Sequence, residues 1–247
     1  MPITVVDLGT VSSTGGSSTI VMTGVNVPPG AFIYNWSLER TIQPGQFGGG
    51  SVIDSGGNTY FSVDAENPGL NAANGVCRSE YAFTGLPIFN GSITRSKSTT
   101  STSIAMGAFY AMGVRVSANV GNDPLDGNTF DVFASASSNA PSIRSGAGFR
   151  FQVPKELAIV NVMWVPDTGD AFTQSGGSPW AAPPTVFIST ALGIGMAGGW
   201  ASNQSIASIT YNSLLNNSRP YTLWVQGWLP GGDVGHDSTN LYGIGNY

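Results

Sequence analysis

The feature that most restricts how this chain can fold is its rhythm. Runs of β-branched and aromatic residues recur at roughly 8–12-residue intervals, each closed by Gly, Pro, Asn, Asp or Ser. No stretch combines a 3.6-residue apolar period with helix caps. Thr4 to Leu8 and Ser18 to Thr23 are the first strand candidates, and Pro28-Pro29-Gly30 separates them from Ala31 to Glu39. There Phe32, Tyr34, Trp36 and Leu38 share one side and Asn35 and Ser37 the other, which predicts a half-buried strand with its aromatics in the core. Ser101 to Val116 and Glu156 to Val165 are apolar on both alternating faces, which predicts strands covered on both sides. Val52-Ile53 and Tyr60-Phe61-Ser62-Val63 flank Asp54-Ser55-Gly56-Gly57-Asn58, and the spacing predicts a β-hairpin through that turn. Further candidates run to Tyr221–Leu229. Strands at this interval with turn signals between them predict an all-β chain, a jelly-roll-like antiparallel β-sandwich. No internal repeat of fixed period is visible.

At 247 residues the chain can bury a large core, and all-β folds of this length are commonly one domain. The expected organisation is a single sandwich over 1–229, in preference to two smaller ones, followed by a glycine-rich C-terminal arm over 230–247. Charged residues make up 9% of the chain, against roughly 25% in ordinary globular domains. The surface must therefore be built largely of Ser, Thr, Asn and Gly. Nine basic residues against fourteen acidic ones give a net charge of −5, and the basic ones are scattered. Nucleic-acid binding wants a basic stripe, so none is expected. Cys77 is the one cysteine and His236 the one histidine, which excludes an intrachain disulfide, a cysteine-based zinc site and a multi-histidine site within one chain. The N-terminal MPITVVDLGTVSS lacks a basic segment followed by an apolar one, and no apolar run reaches 18 residues. Neither signal-directed export nor a membrane-spanning segment is expected. A polar, weakly charged surface without an export signal suits a virion component, assembled in the host cytoplasm and released by lysis.

Catalytic constellations are absent at the level of motif. The four glutamates, Glu39, Glu66, Glu80 and Glu156, sit in no glycosidase-like pattern. A Ser-His-Asp site would have to use His236 in a glycine-rich tail, and G-x-S-x-G, P-loop and dinucleotide fingerprints are missing. No catalytic residue and no cofactor is expected. Asp123, Asp126, Asn128 and Asp131 place oxygens close together around Gly127, a donor set a calcium ion could use. Asp and Asn before Gly are also ordinary turn formers, and the loop is read as a turn, with no metal.

Two surface features carry the functional expectation. In Tyr221–Leu229, Tyr221, Leu223, Val225 and Leu229 alternate with Thr222, Trp224, Gln226 and Trp228. If the first set is core, Trp224 and Trp228 stand outward beside Gln226, as a protein interface or a sugar-stacking platform; the alternative is that a loop such as Ser175–Pro184, with Trp180, covers them. In the arm, Leu241, Tyr242, Ile244 and Tyr247 are candidates for docking on a neighbouring subunit or virion protein, or back on their own sandwich.

The N-terminal V-V-D-L-G-T, the P-P-G before a hydrophobic strand, S-V-I-D-S-G-G-N-T-Y, Tyr81-Ala82-Phe83 and Ser218-Arg219-Pro220 before a final aromatic-rich strand together resemble β-sandwich proteins encoded in tailed bacteriophages and prophages. The similarity spans most of the chain, and the sequence departs from it by continuing past the last strand. The resemblance implies a virion structural protein, serving as capsid decoration, head fibre or tail appendage. Its partners would be copies of itself and other virion proteins, with neither nucleic acid nor membrane among them. The alternative is a carbohydrate-binding module stacking a host glycan on Trp180, Trp224 or Trp228.

Overall fold

The computed structural model describes residues 3–14, 18–40, 50–66, 75–96, 103–115, 125–138, 142–143, 156–174, 185–201, 211–215 and 219–231. Among them every helix or strand assigned is a strand. The first half of the chain forms β1 (Thr4–Thr14), β2 (Thr19–Val27), β3 (Phe32–Arg40), β4 (Val52–Asp54), β5 (Tyr60–Glu66), β6 (Gly75–Phe83), β7 (Ile88–Ser96) and β8 (Ser103–Met112). The second half forms β9 (Leu125–Ser138), β10 (Ser142–Ile143), β11 (Leu157–Trp164), β12 (Phe172–Gln174), β13 (Thr185–Ser189), β14 (Ile194–Ala201), β15 (Tyr211–Leu215) and β16 (Arg219–Trp228). The all-β sandwich expected from the strand rhythm is what forms.

Each half builds its own two sheets. β1-β8-β3-β6-β5 and β2-β7-β4 come from the first half, β13-β14-β11-β16-β9 and β10-β15-β12 from the second. The four sheets stack. The two five-stranded sheets face each other across a core of Phe32, Tyr34, Trp36, Leu38, Phe109, Ile159, Met163, Met196 and Trp228. On the far side of the first, Ile33, Ile104, Met106 and Ala108 meet Ile20, Met22, Val52, Ile88 and Ile93 of the three-stranded sheet. On the far side of the second, Val160, Val162, Trp164, Leu223 and Val225 form another core, where Phe172 of β12 stacks on Trp164 at 5.4 Å between ring centroids.

This layering explains the strands that are apolar on both faces. β8 and β11 are central in their sheets and buried on both sides, as their sequences predict. β3 departs from its prediction. It is buried throughout rather than half-buried, because Asn35, Ser37 and Glu39 face the three-stranded sheet instead of water. The predicted hairpin over Gly48–Val63 does not form either. Its turn exists, with Asp54 Oδ1 accepting from the backbone N–H groups of Gly56 and Asn58. Yet β4 pairs with β7 and β5 pairs with β6, so the turn passes the chain from one sheet to the other. The loop read around Gly127 is also shorter than predicted: Asp126, Asn128 and Asp131 lie within β9, and Asp123 is outside the described residues.

Candidate functional site

Four charged side chains of the first half, Glu39, Arg78, Glu80 and Arg95, are buried. β6 alternates, sending Cys77 to the core between the five-stranded sheets and Arg78 and Glu80 to the opposite face. From the three-stranded sheet β7 sends Arg95 to meet them. Arg95 Nη1 donates to both Glu80 carboxylate oxygens at 2.6 Å, and the pair is almost wholly shielded from water. Asn35 Nδ2 donates to the Glu80 carbonyl and Arg78 Nη1 to the carbonyl of Gly50. Burial lowers the Arg78 pKa, the nearby Arg95 charge lowers it further, and Glu80 and Glu39 oppose both. Tyr60 is pushed well above the usual phenol range, first by burial and then by the Asp54 carboxylate.

This arrangement ties two sheets together. The Glu80 carboxylate is held by a guanidinium rather than poised beside a nucleophile or a reacting group. Glu39 and Glu156 are buried as well. Among the described residues no group of three or more His, Cys, Asp or Glu could hold a metal ion. Among the described residues no helix is long and apolar enough to cross a membrane.

The outer surface of the first half is locally apolar among the described residues. On the outer face of the three-stranded sheet Val21, Thr94 and Ile53 form a cross-strand row. At the end of this sandwich three turns lock together. Thr84 Oγ1 accepts from Ala31 N–H at 2.8 Å and donates to the Pro28 carbonyl at 2.7 Å. Gly30 N–H donates to the Thr84 carbonyl, and Gly85 N–H donates to Asn58 Oδ1. Next to this network β7 carries one extra residue against β2, since Val25 pairs with Gly91 and Val27 with Ile88. Asn90 takes a positive φ of 44° in the bulge, and its N–H is held by Asn26 Oδ1 at 2.9 Å. A bulge re-aims side chains, and here Phe89 is 88% exposed, beside Leu86 at 66%.

The residues expected to form the outer platform are placed differently. Trp228 is fully buried between the five-stranded sheets, 4.6 Å from Phe32 and 5.0 Å from Tyr81 between ring centroids. Gln226 is also fully buried and donates to Ser79 Oγ at 3.0 Å across the same interface. Both faces of β16 are covered, so the premise that one must be outward does not hold. The side chain of Trp224 and the whole of Trp180 lie outside the described residues, as do Leu241, Tyr242, Ile244 and Tyr247. Pro230, at the start of the expected arm, forms an antiparallel bridge with Val114. Sequence reasoning passed over Leu86 and Phe89. Pro87 and Asn90-Gly91 are turn formers, and the signal that could have found the pair is a large apolar residue on each side of turn residues, with no period to carry it into a core.

Fold and surface define a four-layer all-β protein whose described inward-facing charges include an ion pair between two sheets and whose two most exposed large apolar side chains, Phe89 and Leu86, stand at a turn. No family model, no curated protein and no solved structure matches the chain.

Proposed function

We propose that this protein is a non-catalytic structural component of a bacteriophage virion, a capsid decoration, head fibre or tail appendage, working through contacts with copies of itself and with other virion proteins. The observation that carries the reading is the pair Leu86 and Phe89. Large apolar side chains held out beside residues whose backbone is hydrogen-bonded, Gly85 to Asn58 and Asn90 to Asn26, mark an interface formed with little ordering cost. The inward-facing ion pair supports the same reading, since it ties two sheets together and is shielded from any substrate in solvent. The resemblance to phage-encoded sandwiches supplies the setting: assembly in the host cytoplasm and release by lysis.

The test is the double substitution Leu86→Ser and Phe89→Ser. Both side chains are exposed, so the isolated protein should melt within about 2 °C of the parent, as surface changes do, while incorporation into particles in a complemented infection falls at least tenfold. Unchanged incorporation would remove the assembly reading. Loss of binding on a glycan array by the same variant, with incorporation intact, would assign the surface to sugar recognition.

A further inference from the structure

The two halves of the chain carry the same wiring. If β1 to β8 are matched in order with β9 to β16, the five-stranded order β1-β8-β3-β6-β5 becomes β9-β16-β11-β14-β13, and β2-β7-β4 becomes β10-β15-β12. These are the observed orders of the second half, strand for strand. Register agrees at the end where it can be compared directly. Thr4, the first residue of β1, pairs with Met112, the last of β8; Leu125, the first of β9, pairs with Trp228, the last of β16. The order 1-8-3-6 against 2-7-4 is that of an eight-stranded jelly roll whose fifth strand joins the sixth instead of completing the second sheet.

The contacts between the halves are reciprocal as well. Two residues past the end of β8, Val114 bridges Pro230, which is two residues past the end of β16. Around that bridge Arg115 N–H donates to the Leu229 carbonyl at 2.9 Å, and Gly231 N–H donates to the Gly113 carbonyl at 2.6 Å. Each donor stands three residues past its strand and each acceptor one. Equivalent residues exchanging equivalent bonds are what a twofold axis produces. The matched strands β3 and β11 also meet, Asn161 Nδ2 donating to Tyr34 OH at 2.6 Å. β14 packs on β8 while β16 reaches β6 through Gln226 and Ser79.

We propose that residues 4–115 and 125–231 are two copies of one jelly-roll unit joined through a twofold, dimer-type interface, so that the partner each five-stranded face is built to take is a second unit of the same wiring. The chain is a dimer made continuous. No period shows in the sequence because wiring and symmetry outlast side-chain identity, which the two outer faces do not constrain equally.

The symmetry makes a concrete demand on the connections. Residues 116–124 join Arg115, bonded to Leu229, to Leu125, paired with Trp228. By the twofold relation Gly231, bonded to Gly113, stands in the same relation to Thr4, paired with Met112. A circular permutant that opens the chain between Arg115 and Val116 and joins Tyr247 directly to Met1 should therefore fold. The expected product is a monodisperse β-protein of parental size, melting within about 5 °C of the parent. In a second experiment a protease site is placed within 116–124 of the full-length protein and cut under native conditions. The fragments should stay together as a one-to-one complex through gel filtration. A permutant that aggregates while the cut protein stays paired would overturn the twofold relation. Fragments that separate on cutting would overturn the dimer-type interface, and neither result depends on whether the protein enters a virion.

Discussion

Trp36 shows how closely the two units approach. Its indole lies against Gly107 of β8, its neighbour within the sheet, and against Gly198 of β14 in the facing sheet; a Cβ at either glycine would collide with the six-membered ring. Glycine is required there for space and not for backbone conformation, since neither position has a positive φ. Gly198→Ala should therefore destabilise the protein by about 1–3 kcal/mol through overpacking, and Trp36→Ala by about 3–5 kcal/mol through the void it leaves. Urea unfolding of both variants checks this, and a Gly198→Ala protein as stable as the parent would show that the facing sheet is not where it is described. That Trp36 belongs to the core was legible from the alternation of Phe32, Tyr34, Trp36 and Leu38. That two glycines from different halves make its slot was not, because the slot spans residues 91 apart.

At the scale of elements, β6 and β7 are tied by Glu80 and Arg95, which cross from one sheet to the other. Removing one partner strands the other charge in a dry interior, so Arg95→Met should cost about 3–5 kcal/mol. Replacing both, Glu80→Leu with Arg95→Met, should recover most of that loss, because Arg95 Nε and Nη2 have no acceptor among the described residues and the pair is incompletely compensated there. Chemical denaturation of the single and double variants gives the comparison. A double variant at least as unstable as the single one would mean that the ion pair is a net stabiliser of the sandwich. Val76 to Phe83 and Ser92 to Ser96 are readable as strands from their residues, which covers most of β6 and the second half of β7, and so is the turn at Asp54–Asn58. Which sheet each strand joined was not readable: turn chemistry sets a reversal, while pairing partners are chosen by the apolar face each strand must bury.

For the whole molecule, the core between the five-stranded sheets takes residues from both halves, so neither half can lose its structure without exposing the other's inner face. Calorimetry should accordingly show one transition, with van't Hoff and calorimetric enthalpies agreeing. Two resolved transitions would mean that each unit is stable without the shared core. The candidate surface also emerges at this scale. Trp228 and Gln226 were expected at the outside if the face of Tyr221, Leu223 and Val225 was core, unless a loop covered them; that face is core, and the facing five-stranded sheet covers Trp228 and Gln226.

The sequence alone determined that this chain is all-β, where most strands and turns fall, and that β8 and β11 are covered on both faces, because each of these is settled within a dozen neighbouring residues by alternation, turn chemistry and the absence of a helical period. Tertiary structure alone decided the four layers, the inward charges, the duplicated wiring, and the exposure of Phe89 in place of Trp228. A period of two says that a strand has two faces; which face meets another sheet is decided by strands distant in the chain, and burial follows from that choice.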